Sequence, residues 1–169
     1  MPTPCNLKVA EYPGSSEKEG RAGTSDVFEF EHRLHQPVTS TGAASGTREH
    51  SALRVVKVID KATPGFNKAL CTGQRLRQVV LDFYRIDPST RQEKSYYHIT
   101  LRNARIVDIH PYMPISFLPQ NESYRHMEEV SFVYESIEWK WDPDNIVETD
   151  RLVLPRKTRP ANRPRRSRA

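Results

Sequence analysis

Hydrophobic and polar residues alternate along much of this chain, and a period of two predicts strands with one buried and one wet face. Within residues 26–36, Phe28, Phe30, His32 and Leu34 share one side, and polar residues occupy the other. Two further runs of β-branched and aromatic residues are bounded by turn residues, namely 53–59 and 79–86. These patterns predict a mainly β protein.

Two longer runs change their apolar parity partway along. In the first run, Ile99 and Leu101 share one parity and Ile106 leaves it, after which Val107 and Ile109 return to it. In the second run, the parity changes between two groups, Val130, Phe132 and Tyr134 and then Ile137, Trp139 and Trp141. A two-residue period changes parity only where a residue is inserted, so each run predicts a bulge or a corner. Long, bent strands favour a small β-barrel of two packed antiparallel sheets.

One short α-helix is predicted to flank this barrel, over residues 63–73. Thr63 can act as its N-cap, Pro64 fits the first helical position, and Gly73 can adopt the left-handed conformation that ends a helix. The apolar stripe that would cover the end or the flank of the barrel consists of Phe66, Ala69 and Leu70.

Three segments lack periodicity and are predicted to be long loops, namely 13–25, 37–50 and 111–126. The middle segment is rich in Ser, Thr, Gly and Ala and has no large apolar residue after Val38. A loop of that length without secondary structure of its own is usually functional or disordered. The third segment carries enough apolar side chains to pack on another surface.

The size and charge of the chain separate a folded part from a tail. One domain is predicted over residues 1–141, followed by an extension at 142–154 whose order the sequence leaves open. The net charge of the 169 residues is +5, but residues 155–169 contain seven bases and no acid. Those bases are Arg156, Lys157, Arg159, Arg163, Arg165, Arg166 and Arg168. Without them, 19 bases remain against 21 acids, so the folded part is nearly neutral and the tail is predicted to be disordered.

No group of residues in the sequence indicates a catalytic centre, a cofactor site or a metal site. His32 and His35 are three residues apart, which on a strand places them on opposite faces and prevents joint metal binding. Cys5 and Cys71 lack the spacing of a zinc or redox motif, and we expect both to be small buried thiols. A hydrolase is the weakest hypothesis, because no nucleophile, base and orienting group can be assembled.

The basic tail leaves one other function open. A run of Arg separated by Pro can bind nucleic acid or an acidic partner, or it can simply be solvated, so a nucleic-acid-binding β-barrel is the alternative hypothesis. Residues 1–8 have neither the basic nor the apolar region of a signal peptide, and no window is apolar enough to span a membrane. We expect any export to proceed without a cleaved signal.

The order of these segments resembles the haemolysin-coregulated protein (Hcp) of Gram-negative bacteria, especially its enterobacterial branch. The segments that carry the likeness are EFEHRLH, HSALRVVKVIDKATPGFNKALCTGQ, VVLDFYR, YYHITLRNARIVDIHPYMP and MEEVSFVYESIEWKW, within residues 1–141. The strand-to-helix passage is the most specific of them. Its family-pattern residues are Lys61, Ala62, Thr63, Pro64, Phe66, Leu70 and Gly73. The closing Ile-x-Trp element is matched by Ile137 and Trp139.

The resemblance implies a structural subunit of the type VI secretion tube and not an enzyme. Six copies would close into a ring, and rings would stack into a tube inside a contractile sheath, capped by a spike of the VgrG type. Sheath contraction would expel the tube, whose lumen can hold small effector proteins. The resemblance thus implies assembly in the bacterial cytoplasm and delivery to the extracellular space or a target cell. Neither membrane insertion nor nucleic-acid binding is expected.

The resemblance also indicates where subunits should meet. The loop from Pro37 to His50 is expected to reach a neighbouring ring or subunit through Thr39, Ser40, Thr41, Ser45, Thr47, Arg48, Glu49 and His50. The polar strand residues Glu29, Glu31 and Arg33 are expected to line the lumen or meet a neighbour. Parity alone does not choose between these two positions.

Overall fold

The computed structural model describes residues 4–122 and 125–152. The strands, numbered along the chain, are β1 (Cys5–Val9), β2 (Ser25–Glu31), β3 (Leu34–His35), β4 (Glu49–His50), β5 (Leu53–Val58), β6 (Leu76–Ile86), β7 (Glu93–Tyr112), β8 (Met127–Val133), β9 (Ser136–Trp141) and β10 (Ile146–Arg151). The α-helix, α1, spans Thr63–Thr72, and a 3-10 helix spans Pro119–Asn121. The prediction of a mainly β fold with one short helix is confirmed. The predicted basic tail at 155–169 lies outside the described residues.

One antiparallel sheet closes on itself to form a barrel of six strands in the order β7, β6, β1, β2, β5 and β8. The closing pair joins β8 to the second half of β7, from Arg105 to Tyr112. The two packed layers that the sequence predicts are therefore opposite walls of one closed sheet. Closure leaves no open sheet edge along most of the barrel.

The first half of β7 also carries a two-stranded extension, which we call the wing. In the wing, β9 pairs with Tyr97–Arg102 of β7, and β10 pairs with β9 along its whole length. The segment between β8 and β9 is the corner predicted from the parity change after Tyr134, and there the chain passes from the barrel into the wing. Residues 146–151 of the C-terminal extension, whose order the sequence leaves open, form β10.

The parity change predicted within β7 is also present. Ile99 and Leu101 are buried before it, and Ala104 and Ile106 are buried after it. Asn103 lies between these pairs with a positive φ of 50°, a conformation that Asn tolerates better than most residues. The expectation that Val107 returns to the buried side is wrong, because a bulge between β7 and β8 at this position leaves Val107 46% exposed.

The predicted strand over residues 26–36 is shorter than expected, and its buried face is different. A bulge between Val27 and Glu29 turns Val27 into the core and leaves Phe28 65% exposed. After β2 ends at Glu31, Leu34 is exposed in the separate strand β3. The prediction that Phe28, Phe30, His32 and Leu34 share one buried face is therefore wrong for Phe28 and Leu34, because an inserted residue reverses a two-residue period. Phe30 does pack against the core.

Helix α1 is attached to the barrel core through Phe66 and Ala69, both of which are buried. The ring of Phe66 packs edge to face against that of Phe132, with 6.3 Å between centroids. Gly73 ends the helix in the left-handed conformation, as predicted, with φ of 64°. No helix in the described ranges has the length and apolar character needed to cross a membrane.

The start of α1 differs from the prediction. Ala62 occupies the N-cap position, and Thr63 is the first helical residue. The Thr63 hydroxyl instead accepts a hydrogen bond from the backbone N–H of Asp60 at 3.1 Å and donates one to Glu128 Oε1 at 2.8 Å. Thr63 therefore links the turn before the helix to strand β8, and the prediction of Thr63 as N-cap is wrong.

The two cysteines lie in different environments. Cys5 is buried in β1, and burial, with a contribution from the charge of Asp82, raises the pKa of its thiol to about 12. Cys71 is exposed on the outer side of α1, so the prediction that it is buried is wrong. The last buried residue of α1 is Ala69, so the apolar stripe of the helix does not extend to Cys71.

Candidate assembly surfaces

The segment predicted to be a loop without structure is a β-hairpin that projects from the barrel, and we call residues 34–50 the arm. Strands β3 and β4 pair at its base, and a bridge between Val38 and Ala44 continues the pairing toward the tip. The positive φ of Gly42, 82°, allows the chain to reverse direction there. The prediction of no secondary structure is wrong, because short-range backbone pairing is compatible with a Ser-, Thr- and Gly-rich sequence.

The outer part of the arm is exposed on all sides. The predicted contact residues Thr39, Ser40, Thr41, Ser45 and Thr47 are exposed. Val38 is an apolar residue on the arm and is 62% exposed. Side chains of this kind can make both hydrogen bonds and apolar contacts with another surface. The contact of these residues with a neighbouring subunit stays a prediction.

Two other predicted contact residues are instead bound within the chain. Arg48 donates from Nε and Nη2 to the two carboxylate oxygens of Asp150 on β10, and from Nη2 to the carbonyl of Arg151 at 3.1 Å. The hydrogen bond from Arg48 holds the pKa of Asp150 below its usual value. His50 Nε2 lies 3.0 Å from Asp150 Oδ2, and the imidazole is only 2% exposed. Glu49, the remaining predicted contact residue, is exposed in strand β4, which pairs with β3 at the base of the arm.

The base of the arm is connected to the barrel through Tyr134. Its hydroxyl lies 2.8 Å from His50 Nδ1 and 2.7 Å from His32 Nε2. One arrangement of protons satisfies every contact: His50 donates from Nε2 to Asp150, Tyr134 donates to His50 Nδ1, and His32 donates from Nε2 to Tyr134. Burial, together with the neighbouring His50, lowers the pKa of His32.

We call these five residues the base cluster: His32, Arg48, His50, Tyr134 and Asp150. Sequence reasoning found Arg48 and His50 but missed Tyr134 and Asp150, which lie more than 80 residues away. His35 is not part of the cluster, because it is exposed in β3. In the described part of the chain, no three His, Cys, Asp or Glu side chains are arranged to hold a metal ion.

A second polar surface covers the outer wall of β2, β5 and β8. Arg54 is bound there by Glu29, by Glu31 at 3.0 Å and by Glu129 at 3.2 Å. The hydrogen bonds that Arg54 donates to Glu31 and Glu29 raise the pKa of the Arg54 guanidinium. Three carboxylates surround one guanidinium, so this acidic face has a net negative charge.

Arg33, predicted with Glu29 and Glu31, lies elsewhere. Its backbone N–H donates to the Ser51 hydroxyl at 2.9 Å, and its carbonyl accepts the N–H of Ser51 at 2.9 Å. Arg33 therefore belongs to the base of the arm, and the acidic face contains only the two glutamates of the predicted set.

The segment between β7 and β8 exposes a third, apolar surface. Met113 and Ile115 are exposed, and Phe117 is 84% exposed. We call residues 113–122 the apolar loop. Among the residues that the structure describes, these side chains remain in solvent and form an exposed apolar patch.

The family-pattern residues of the helix have an architectural role. Ala62, Thr63 and Phe66 are buried, and Leu70 packs against the core. Lys61, Pro64 and Gly73 are exposed where the chain enters and leaves α1. Their arrangement positions α1 on the barrel and forms no chemical site.

Comparisons with known proteins agree with this architecture. The family model described as "Type VI secretion system effector, Hcp" matches residues 6–141. The "Major exported protein" of Pseudomonas aeruginosa is 36% identical over 127 residues, which cover 75% of this chain and 73% of that protein.

Two solved structures show the same fold. The Hcp1 protein of the Escherichia coli EAEC 042 pathovar is 31% identical, with a TM-score of 0.76 over 89% of this chain and 98% of that one. The secreted protein Hcp3 of Pseudomonas aeruginosa is 26% identical, with a TM-score of 0.72 over 90% of this chain and 100% of that one. The family match, the barrel and the family-pattern helix lead to one conclusion: this chain belongs to the Hcp family of type VI secretion system effectors.

Proposed function

We propose that this chain is a structural subunit of the type VI inner tube, in which six copies form a ring and rings stack along one axis. The observation that carries the proposal is the arm, an ordered hairpin that leaves its polar and apolar side chains in solvent. A hairpin that contributes nothing to its own core has its side chains available for another subunit.

A tube needs two different contacts, and the chain offers separate surfaces for them. A ring closes through a head-to-tail interface between neighbours, while stacking needs a second contact along the axis. We assign the arm to stacking, because it projects from the barrel. The apolar loop is suited to the contact within a ring, because Phe117 would lose its large exposed area there.

We assign the acidic face to the lumen. Glu29, Glu31 and Glu129 together with Arg54 make a hydrated wall, which suits a channel that holds small effector proteins without binding them irreversibly. A test is to place a cysteine at Glu31 in a Cys71→Ser background and to label assembled tubes with maleimides of increasing size. Reagents too large for the lumen should fail to label the tube while still labelling the free subunit. Equal labelling of both would exclude the lumen position.

The tube is further proposed to assemble in the cytoplasm around a VgrG-type spike, and to leave the cell when the contractile sheath shortens. This route predicts that the protein found outside the cell retains its N-terminal residues. Mass spectrometry of the secreted protein measures this directly. Release that persists in cells lacking the sheath would contradict the proposed route.

Ring formation is the central test. Size-exclusion chromatography with light scattering, followed by negative-stain microscopy, should show hexameric rings at micromolar concentration. A protein that remains monomeric throughout would contradict the proposal.

The alternative function is nucleic-acid binding through the basic tail, favoured by seven bases without an acid in residues 155–169. It predicts salt-dependent retention of DNA or RNA that is lost when the tail is deleted. Absence of binding at moderate salt would exclude it.

A further inference from the structure

We infer that Asp150 is a positioning residue for ring stacking, which holds the arm at a fixed angle to the barrel without itself touching the next ring. The inference rests on the proposed function and extends it to the C-terminal segment, since Asp150 lies beyond the residues matched by the family model. It makes the wing part of the assembly machinery.

The arm cannot keep its orientation by its own pairing. Strands β3 and β4 contain two residues each and form a sheet separate from the barrel. An isolated hairpin is marginal in water, and a pairing this short fixes neither its twist nor its angle to the domain. Contacts at the base must therefore supply the orientation.

Asp150 makes those contacts on the returning strand of the arm. Its carboxylate accepts two hydrogen bonds from Arg48 and lies 3.0 Å from His50 Nε2. A paired, two-point contact with a planar guanidinium restricts rotation as well as distance. Because β10 is paired along β9, the carboxylate is presented by a rigid strand and not by a loop.

Tyr134 makes the corresponding contact with the segment entering the arm. It bonds His32 just before β3 and His50 at the end of β4, so both sides of the base are bound. Asp150 supports the contact between Tyr134 and His50 indirectly. When His50 carries its proton on Nε2 and donates it to the Asp150 carboxylate, Nδ1 has no proton and can accept the hydrogen bond from Tyr134. Loss of the carboxylate removes the anchor for Arg48 and the partner that orients His50.

The consequence for stacking is entropic. A loose arm must be ordered each time two rings meet, and the cost is repeated for every subunit in the ring. A prepositioned arm avoids this cost. Asp150 thus strengthens contact between rings while leaving contact within a ring unchanged.

The test compares Asp150→Asn with Glu138→Gln in the full chain. Glu138 is a matched control, because it lies on β9 of the same wing, bonds Arg102 at 3.5 Å at the surface, and loses the same charge. We expect both variants to form rings, and only Asp150→Asn to reduce the number of stacked rings, by about tenfold. Backbone amides of Thr39 and Ser45, which are bonded within the arm, should exchange hydrogen about tenfold faster in Asp150→Asn alone.

A charge-reversed pair, Arg48→Asp with Asp150→Arg, provides the rescue experiment and should restore part of the stacking that Asp150→Asn loses. The failures are distinguishable. A wild-type protein that forms no rings contradicts the proposed function. Wild-type rings that never stack contradict it as well. The inference alone is overturned if Asp150→Asn stacks as well as the wild type, or if that variant forms no rings.

Discussion

Lys57 and Glu128 face each other inside the barrel, where both side chains are fully buried and Nζ lies 2.6 Å from Oε1. They are directly opposite on strands β5 and β8. Lys57 also donates to Asp60 Oδ1 at 2.8 Å, and Glu128 accepts from Thr63. The ion pair therefore joins two strands of the barrel to the entry of α1, the passage that resembles the family most closely.

Lys57→Met should destabilise the protein by about 3–5 kcal/mol, because it leaves the Glu128 carboxylate buried without its cation. Glu128 Oε2 already has no hydrogen-bond partner among the described residues. The free energy of unfolding, measured by urea denaturation, gives the magnitude.

The double variant Lys57→Met with Glu128→Met should recover much of that loss, because an apolar pair of similar volume has no charge to desolvate. Arg77→Met, which removes an exposed base 3.6 Å from Glu11, is the control and should change stability little. Equal losses in the single and double Lys57 variants would show that packing, and not charge, explains the cost.

Gly65→Ala should destabilise the fold by about 1–3 kcal/mol, although Ala is usually preferred over Gly in a helix. A Cβ at Gly65 would lie 2.2 Å from the ring of Tyr12, which packs against Phe66 with 6.1 Å between ring centroids. Thermal unfolding measures the loss. Lys68→Ala, at an exposed position of the same helix, is the control and should leave the melting temperature nearly unchanged. Adding Tyr12→Leu should relieve part of the clash, and no relief would point to a different cause.

The contribution of His98 to stability should decrease as pH rises. Its two ring nitrogens lie 2.6 Å from Asp82 and 2.5 Å from Asp142. Burial alone would lower the pKa of His98, but the hydrogen bonds and charges of both aspartates raise it above 6.5. The stabilisation is therefore fully present below pH 6.5 and is lost as the pH rises through the raised value.

The measurement is the free energy of unfolding of the wild type and of His98→Gln between pH 5 and pH 9. The difference between them should be largest at low pH and should shrink with rising pH. His110→Gln is the control, since His110 does not lie between two carboxylates. A difference that is constant with pH would contradict the assignment of His98 as a bound cation.

The two thiols should differ in reactivity in the native protein. Cys71 is exposed, whereas Cys5 is buried and burial raises its pKa to about 12, so little reactive thiolate forms at neutral pH. A maleimide should add once to the native protein and twice after denaturation, as read by mass spectrometry. Cys71→Ser should abolish native labelling. Two additions to the native protein would contradict the burial of Cys5.

Local features of the fold could be predicted from the sequence because they depend on neighbouring residues. The parity changes within 97–109 and 130–141 each predicted a bulge or a corner. The first run has a bulge against β8 between Ile106 and Asp108, and the second turns between β8 and β9. Gly73 was recognisable as a helix end since a left-handed residue there favours glycine. The order of these local signals was also sufficient to indicate the Hcp family.

Positions at which a bulge reverses the pattern could not be read from periodicity. Phe28 has the parity of a buried residue, yet the pairing of β2 with β5 places Val27 in the core instead. Which residue is inserted depends on the partner strand, and the partner lies far away in sequence. The burial of Lys57 could not be predicted for the same reason, because its partner Glu128 on β8 is identified only once the strands are paired.

The sequence by itself therefore determined the mainly β class, the short helix and the family, since each follows from spacing over a few residues or from the order of segments. Only the tertiary structure decided that the loop after β2 is an arm, and that His32, Tyr134 and Asp150 meet at its base. The physical reason is sequence separation. Contacts between residues about a hundred positions apart cannot be predicted from local hydrophobic patterns. These residues come together only when the barrel folds.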